Sequence, residues 1–207
     1  MKHLLLIFIY KLAMPVLLRV VGVGIRNKGA FQGQKQFIVV ANHNSHIDTM
    51  ALMSSIPAKV LNRTHPVAAA TYFGKKSWLA MLSKLFVNTV LIKRSEEGGE
   101  STALDALDKY LSNGHSLLIF PEGSRGEPEK MQTFRKGIGV LLQRNPHIPF
   151  VPVYIQGTGK ILPKGERLIV PYDAQVTIGE AQLVKAKEIE LILEEVKEAI
   201  LALKDYK

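Results

Sequence analysis

A short polar run in the first quarter of the chain combines a histidine with a carboxylate. His43 and Asp48 lie in the run Asn42–Asp48, directly after the apolar segment Gln36–Ala41. An imidazole whose second nitrogen is bonded to a carboxylate can take a proton from a hydroxyl group at neutral pH. On one continuous helix a five-residue spacing places two side chains about 140° apart. At a strand-to-helix junction they can meet, and the pattern then suits a general base with an orienting carboxylate.

The same residues allow two other roles. Ser45 and Asp48 have capping-box spacing, in which Asp48 closes a helix N-terminus. Capping and catalysis are compatible if each carboxylate oxygen serves one of them. A metal bound by His43, His46 and Asp48 is the other alternative, but the three-residue spacing of the histidines is not that of the helical zinc motif. We expect His46 to be a helix-start residue near the site, and we expect no metal.

A second polar run follows the apolar segment Ser116–Phe120 and reads Pro121-Glu122-Gly123-Ser124-Arg125-Gly126. Glycines let backbone N–H groups approach a ligand, and the planar fork of Arg125 matches a phosphate group. The run is therefore compatible with an anion pocket. A polar surface turn with an exposed arginine is the alternative, because many turns have this composition.

The elements that must position these two loops alternate between strands and helices. Strands are predicted at Gln36–Ala41, Val87–Ile92, Ser116–Phe120 and Phe150–Ile155, with a further strand pair at Arg167–Val170 and Gln175–Ile178. Helices are predicted at Thr49–Ser55, Val67–Phe86, Ser101–Leu111, Gly137–Gln143 and Glu188–Leu203. This alternation predicts an α/β fold: a single-domain mixed sheet flanked by helices, with active residues on loops beyond strand ends.

Composition and charge narrow the function classes. The 207 residues are enough for one domain, and the absence of cysteine excludes disulfides, thiolate metal sites and a cysteine nucleophile. Residues 1–95 carry thirteen Lys and Arg against one acid, Asp48, whereas residues 96–207 carry fourteen against seventeen. The halves are therefore +12 and −3, which sum to +9. This asymmetry indicates an anionic partner: nucleic acid, an anionic membrane face or a phosphorylated small molecule.

Residues 1–28 are predicted to form a membrane-associating helical segment, and residues 29–207 are predicted to form the single catalytic domain. Lys11, Pro15 and Arg19 share one side of a helix and the other side is apolar, which is typical of a helix lying in the membrane interface. The cost of two central charges nearly cancels the gain from the apolar residues, so a stable span is disfavoured. A first helix that packs into the core is the alternative.

Four ordered blocks resemble the glycerolipid acyltransferase family, in which 1-acylglycerol-3-phosphate (lysophosphatidic acid) acyltransferases are the best-known members. The blocks are Asn42–Asp48, the strand Val87–Arg94, the run Phe120–Arg125 and the proline-containing apolar stretch Ile148–Tyr154, and a Phe-Lys-x-Gly-like segment is filled by Phe134–Gly137. The family often has glycine where Asn88 stands, and this departure leaves the identity of the acceptor lipid open.

The resemblance implies a mechanism and a set of site residues. His43 is expected to be the general base with Asp48 as its partner, and acyl-CoA or acyl carrier protein to be the donor in a direct transfer that needs no cofactor and no metal. The acceptor and its phosphate are expected to be bound by Arg94, Glu122, Gly123, Ser124, Arg125 and Lys136. The partner surface is expected to be membrane phospholipid, with the protein peripheral or monotopic on the cytoplasmic face.

Competing functions are acyl transfer to a different lysolipid or to glycerol 3-phosphate, non-catalytic phospholipid binding, nucleic-acid binding and metal-dependent hydrolysis. The combination of His43 and Asp48 argues against a purely binding role. Nucleic acid is disfavoured as a partner because the basic half is interleaved with aliphatic residues and carries no recognised nucleic-acid motif.

Overall fold

Seven strands in the described part of the chain form one sheet. The structure is a computed structural model that describes residues 2–27, 29–70, 83–92, 100–127, 130–162 and 168–205. The strands are β1 (Val23–Asn27), β2 (Ile38–Ala41), β3 (Thr64–Ala69), β4 (Val90–Ile92), β5 (Ser116–Ile119), β6 (Phe150–Gln156) and β7 (Ala174–Ile178). Their order across the sheet is β1-β7-β6-β2-β5-β3-β4. Neighbours are parallel except for β6 and β7, so the sheet is mixed.

Helices cover both faces of this sheet. The helices are α1 (Lys2–Ile7), α2 (Met14–Val20), α3 (His46–Ser55), α4 (Ala58–Leu61), α5 (Glu100–Ser112), α6 (Lys136–Arg144), α7 (Thr158–Ile161) and α8 (Ile189–Leu201), with π-helical turns at Phe8–Ala13 and Ser83–Val87. The first face packs against α1, α2 and α3, and the second against α5, α6 and α8. The predicted single-domain α/β fold is confirmed.

The central strand β2 shows why two cores form. Val39 and Ala41 belong to the core on the first face, whereas Ile38 and Val40 belong to the core on the second. Successive side chains of a strand point to opposite faces, so a strand covered on both sides must be apolar at every position. All four residues are fully buried.

The parallel strands place the two polar loops at one edge. Val40 pairs with Ile119, so β2 and β5 end at nearly the same height, whereas Ala41 pairs with Val153 and β6 extends three residues further. The residues that follow β2 and β5 therefore meet at the carboxyl edge of the sheet. Side chains that act on a ligand are commonly found in this position in α/β proteins.

The predicted helix over Val67–Phe86 is wrong at its start. Val67–Ala69 instead form the second half of β3 and pair with β4. Ala68 and Ala69 have high helix propensity, but hydrogen-bonding partners on a neighbouring strand outweigh such local preferences. Residues 71–82, in the middle of the predicted helix, lie outside the described residues.

The predicted strand pair near the C-terminus is half right. Gln175–Ile178 lie in β7, but residues 168–170 form no strand. The Val170 N–H instead donates to the Ile161 carbonyl at 2.9 Å. Strand β1 was not anticipated. Of the predicted N-terminal segment 1–28, residues 2–20 are helical, whereas Val23–Asn27 pair with β7 as part of the sheet.

The N-terminal helical segment, Lys2–Val20, is 19 residues long and apolar enough to cross a membrane by length and composition. One side of it packs against the first core through Leu6, Tyr10 and Leu18, all of which are buried. Full burial of a leucine side chain stabilises such a contact by roughly 1.5–3 kcal/mol. The segment is therefore docked on the domain along one side.

The two basic residues of this segment face different surroundings. Arg19 is exposed, whereas Lys11 is half-buried and its Nζ donates to the Ser54 carbonyl at 2.5 Å. Burial lowers the pKa of Lys11 to about 8. The side on which the sequence grouped Lys11, Pro15 and Arg19 is thus divided between the domain and the surface.

Candidate active site

Asp48 closes the first turn of α3. Ser45 is the N-cap residue, and the Ile47 N–H donates to its Oγ at 3.4 Å. The Ser45 N–H in turn donates to Asp48 Oδ2 at 2.8 Å, which completes the predicted capping box. The Asn44 N–H donates to the same oxygen at 2.7 Å. Asp48 is fully buried, and these N–H groups supply the hydrogen bonds that a buried carboxylate requires.

His43 bonds the same carboxylate oxygen. Its Nδ1 lies 2.9 Å from Asp48 Oδ2, and its side chain remains 15% exposed. A proton on Nδ1 that donates to the carboxylate leaves Nε2 as an acceptor, the state required of a general base. The structure thus brings together the two residues across the strand-to-helix junction. Their catalytic roles stay predictions.

The two carboxylate oxygens of Asp48 differ in their hydrogen bonds. Oδ2 accepts from His43 and from both backbone N–H groups, whereas Oδ1 is buried and has no hydrogen-bond partner in the described part of the chain. The cap and the histidine therefore use the same oxygen, so their compatibility does not depend on one oxygen for each role. A single oxygen couples the helix start to the imidazole, so the cap also fixes the position of the histidine.

Phe120 holds the plane of the His43 ring. The two ring centroids are 3.8 Å apart and the planes are inclined by only 14°. The stack and the hydrogen bond to Asp48 together fix the orientation of the imidazole. Phe120 is predicted from the sequence to end a strand, but its contact with His43 is not, because nothing in its local pattern indicates which loop it faces.

Glu122 ties the two loops together. Its Oε1 accepts from the His43 N–H at 3.0 Å, and its Oε2 accepts from the Gln132 N–H at 3.0 Å. Only 2% of the residue is exposed, and burial raises the pKa of this carboxyl. Both oxygens are thus committed to the backbone. The geometry assigns Glu122 to the placement of His43, and its predicted contact with the acceptor stays a prediction.

Two further contacts anchor the first loop. The Asn42 side chain bonds both backbone groups of Ile155 in β6, with Nδ2 donating at 2.7 Å and Oδ1 accepting at 2.7 Å. The Gly126 N–H of the second loop donates to the His43 carbonyl at 3.2 Å. The backbone around His43 is therefore held from β6 on one side and from the second loop on the other.

The second loop turns sharply at Gly123. Its φ of 74° lies in the left-handed region, which other residues adopt only with strain, and its N–H donates to the Phe120 carbonyl at 3.0 Å. Ser124 is exposed and Arg125 is half-buried. Gly123 is thus required by the turn itself. The predicted roles of Gly123, Ser124 and Arg125 in binding phosphate stay predictions.

Arg125 lies within electrostatic range of His46. His46 has an exposed surface, yet desolvation of its ring by neighbouring protein atoms, followed by the charges of Arg125 and His43, lowers its pKa to about 4. His46 is therefore neutral at physiological pH, as befits a helix-start residue beside the site. The guanidinium of Arg125 places positive charge beside the loop that carries His43.

The remaining predicted residues lie elsewhere. Lys136 is exposed at the start of α6 and forms an ion pair with Glu190 of α8 at 3.2 Å. Arg94 lies outside the described residues. The predicted role of each in holding phosphate stays a prediction.

Comparison with known proteins places the chain in a family. A family model described as Acyltransferase matches residues 22–156, which is more than half of the chain. This protein therefore belongs to the acyltransferase family, and the resemblance of its four blocks to the glycerolipid acyltransferases is confirmed.

Several relatives carry more specific names. A probable 1-acyl-sn-glycerol-3-phosphate acyltransferase of Mycoplasma pneumoniae is 29% identical over 129 residues, which cover 60% of this chain and 46% of that protein. The human 1-acyl-sn-glycerol-3-phosphate acyltransferase alpha is 24% identical over 165 residues, which cover 76% of this chain and 54% of that protein. The chain thus spans about half the length of these curated relatives.

A solved structure shares the fold. The crystal structure of the 1-acyl-sn-glycerophosphate (LPA) acyltransferase PlsC from Thermotoga maritima superposes with a TM-score of 0.71 at 24% sequence identity. The match covers 98% of this chain and 79% of that one. At this identity the likeness establishes the fold, and the chemistry must be argued from the residues of the site.

Proposed function

We propose that this protein transfers a fatty acyl chain from acyl-CoA or acyl carrier protein to the free hydroxyl of lysophosphatidic acid, giving phosphatidic acid. The observation that carries the proposal is the 2.9 Å bond between His43 Nδ1 and a fully buried Asp48 at the carboxyl edge of the sheet. Membership of the acyltransferase family and the names of the relatives support the class of reaction.

The reaction uses His43 twice. Its Nε2 takes the proton of the acceptor hydroxyl while that oxygen attacks the carbonyl carbon of the donor thioester. The tetrahedral intermediate collapses, the carbon–sulfur bond breaks, and the imidazolium returns the proton to the leaving thiolate. An ester and a free thiol result, and His43 is neutral again. Asp48 stabilises the transient imidazolium and holds the neutral ring in the tautomer whose proton is on Nδ1.

Phosphate binding is the proposed task of Arg125, and of Arg94 by family resemblance alone. A planar guanidinium can bond a phosphate through two parallel N–H groups, and Arg125 follows the turn that carries Glu122 and Gly123. A phosphate held there would bring the acceptor to the loop that is bonded to the backbone of His43.

The direct test is a product analysis. The purified protein is incubated with a panel of lysolipids and glycerol 3-phosphate, each with acyl-CoA or acylated carrier protein, and products are identified by mass spectrometry. We expect phosphatidic acid from lysophosphatidic acid, and none from the His43→Ala protein. Acylation of another lysolipid in preference would revise the acceptor, and no acyl ester from any combination would refute the proposed activity.

Arg125→Ala tests the phosphate site. We expect the KM for the acceptor to rise about tenfold or more while the KM for the donor stays near its original value. Arg144→Ala is the matched control. Arg144 is an exposed arginine at the end of α6, where it forms ion pairs with Asp105 and Asp108. A rise in the donor KM alone would move Arg125 to the donor site.

Membrane association follows from the chemistry of the proposed substrates. The acceptor and the product carry long acyl chains and reside in the bilayer. The helical segment Lys2–Val20 is apolar and only a small part of it is buried in the domain. We therefore propose that the protein is peripheral or monotopic, on the cytoplasmic face, with this segment on the lipid.

A further inference from the structure

The N-terminal helical segment displays an apolar stripe on its outer side. The stripe residues lie at four-residue steps and are each 58–70% exposed: Leu4, Phe8, Leu12, Val16 and Val20. Four residues overshoot one turn of an α-helix but fall short of one turn where the helix widens to i→i+5 bonding, as at Phe8–Ala13. The π-helical turn thus offsets the drift of the flanking α-helices and helps to keep the stripe on one side.

A second apolar segment, distant in sequence, adjoins the end of this stripe. Leu168 is 72% exposed, and Ile169, Val170 and Tyr172 are 42–49% exposed. The Tyr172 N–H donates to the carbonyl of Val21, the residue after α2, at 3.1 Å. Exposed aliphatic residues in such a run are unusual on a protein surface that meets only water.

Tyr172 is paired with a lysine in a manner typical of a membrane interface. Lys160 Nζ donates to the Tyr172 hydroxyl at 2.9 Å and lies 4.6 Å from the centre of its ring. Tyrosine is enriched at the headgroup level of bilayers, and a lysine beside it extends its ammonium toward phosphate. Aliphatic residues next to such a pair suit a surface that enters a bilayer to a shallow depth, with the aliphatic side chains among the acyl chains and the tyrosine and lysine at the headgroups.

This second segment also adjoins the candidate active site. The Val170 N–H donates to the Ile161 carbonyl at 2.9 Å, and the next residue, Leu162, accepts a bond from Ser45 Oγ at 3.0 Å. Ser45 caps the helix whose first turn carries Asp48. Two hydrogen bonds and one peptide unit therefore separate the exposed segment from the start of the catalytic helix.

The charge around the helix stripe favours an anionic bilayer. The first 47 residues contain no acid, and Lys2, Arg19 and Arg26 are exposed. A basic residue near an anionic surface contributes about 1 kcal/mol to binding. The second segment is flanked in sequence by Glu166 and Arg167 before it and by Asp173 after it, and Lys160 is bonded to its Tyr172.

We propose that Leu168–Tyr172 and Lys160 form a second lipid contact. Together with the helix stripe, this contact holds the candidate active site against the surface of an anionic phospholipid bilayer. The inference rests on the proposed function only for the identity of the lipid acceptor. Lipid contact at residue 168 can be measured whether or not the acceptor is correct.

The absence of cysteine from the chain allows a clean positional test. Leu168→Cys and Leu191→Cys are each labelled with an environment-sensitive fluorophore and mixed with vesicles of equal parts phosphatidylcholine and phosphatidylglycerol. Leu191, 55% exposed on α8 over the other face of the sheet, is the matched control. We expect a blue shift and a gain in emission at position 168 and little change at 191. Equal responses at the two positions would overturn the proposal.

Self-association is separated from lipid contact by the same label. If the emission at position 168 shifts with protein concentration in the absence of vesicles, the segment is an interface between copies of this chain and the proposal is wrong. No dependence on protein concentration, together with a shift on vesicles, supports it.

A kinetic test uses the double variant Leu168→Ser/Ile169→Ser, with Leu183→Ser/Leu191→Ser as the control pair of exposed aliphatics. We expect vesicle affinity to fall about tenfold in the first and to change little in the second. Activity on a vesicle-embedded acceptor should fall likewise, while activity on a short-chain soluble acceptor is retained. Unchanged vesicle affinity in a folded variant would refute the lipid contact, whereas inactivity of the unmutated protein on every acceptor would refute only the proposed function.

Discussion

Two histidine pairings at opposite ends of the parallel strands show how the partner of an imidazole decides its role. At the carboxyl edge, His43 Nδ1 bonds a buried carboxylate. At the amino edge, His65 Nδ1 bonds the Asn88 carbonyl at 2.9 Å, and its Nε2 lies 2.8 Å from His115 Nδ1. The first ring bonds a negative charge, whereas the hydrogen-bond partners of the second ring among the described residues are a carbonyl and another imidazole.

Electrostatics separate the two sites further. Burial lowers the pKa of His65 to about 4, and burial followed by the charge of Arg63 lowers the pKa of His115. Both rings of this pair therefore stay neutral at physiological pH and act as hydrogen-bonding struts between β3 and β5. A histidine becomes a candidate base because of the group behind it, which residue type alone does not reveal.

The largest effect is expected when the base itself is removed. His43→Ala should lower kcat/KM by about 10²–10⁴-fold with little change in Tm, since a loop residue with an exposed edge contributes few core contacts. His65→Ala should do the opposite and cost about 1–3 kcal/mol of stability with most of the activity retained. Steady-state kinetics and thermal unfolding of both variants would expose a wrong assignment if the two outcomes were exchanged.

Asp48→Asn separates the charge from the cap. The amide can still accept from the backbone of the first turn, but it cannot stabilise an imidazolium, so we expect kcat to fall on the order of 10²-fold with a small change in Tm. Ser45→Ala is the control, because it removes the Oγ cap and leaves the carboxylate on His43. It should cost about 1 kcal/mol and spare turnover. Near-normal activity of Asp48→Asn would mean that Asp48 is a cap only.

Glu122→Gln should weaken the link between the two loops. In the glutamine variant the side-chain NH₂ replaces one of the two carboxylate oxygens. It would then face the backbone N–H of His43 or of Gln132, and two donors cannot form a hydrogen bond. We expect a loss of about tenfold in kcat without a selective rise in the acceptor KM. Glu127→Gln, an exposed glutamate on the same loop, is the matched control. A selective rise in the acceptor KM would instead return Glu122 to substrate binding.

The smallest expected effect on activity, and a distinct effect on stability, comes from the amino-edge pair. Because folding lowers the pKa of His65 from 6.5 to about 4, the unfolded chain binds more protons between these values. The contribution of His65 to stability is therefore complete above about pH 6.5 and decreases as the pH falls toward 4. Thermal unfolding of His65→Gln should show a weaker decline in Tm over this range than the original protein. An identical decline would show that His65 is not responsible.

The carboxyl-edge site was more predictable from sequence than its surroundings. His43 and Asp48 lie in one short loop, so their meeting depends on local geometry that residue spacing expresses. The contacts of Phe120 and Glu122 with His43 cross between two strands and depend on the register of β2 with β5, which no local pattern contains.

The same distinction explains the errors in the fold. The residues Val67–Ala69 are compatible with helix or strand, and their pairing with β4 decides between them. Strand β1 is short and directly follows an apolar helix, so its character emerges only when β7 lies beside it. Continuous apolar runs in the sequence identified β2, β5 and β6, because strands covered on both faces are apolar at nearly every position.

The pairing of β1 with β7 has a consequence for biosynthesis. In the described part of the chain the only strand beside Val23–Asn27 is Ala174–Ile178, which leaves the ribosome last among the strands. At translation rates of 5–20 residues per second, about 150 intervening residues take roughly 8–30 s. During this interval the first strand lacks its ladder while the apolar helix before it is already made. The nascent chain therefore exposes its most apolar element, the N-terminal helical segment, well before β1 can pair with β7. A nearby membrane could bind that segment before the domain has finished folding.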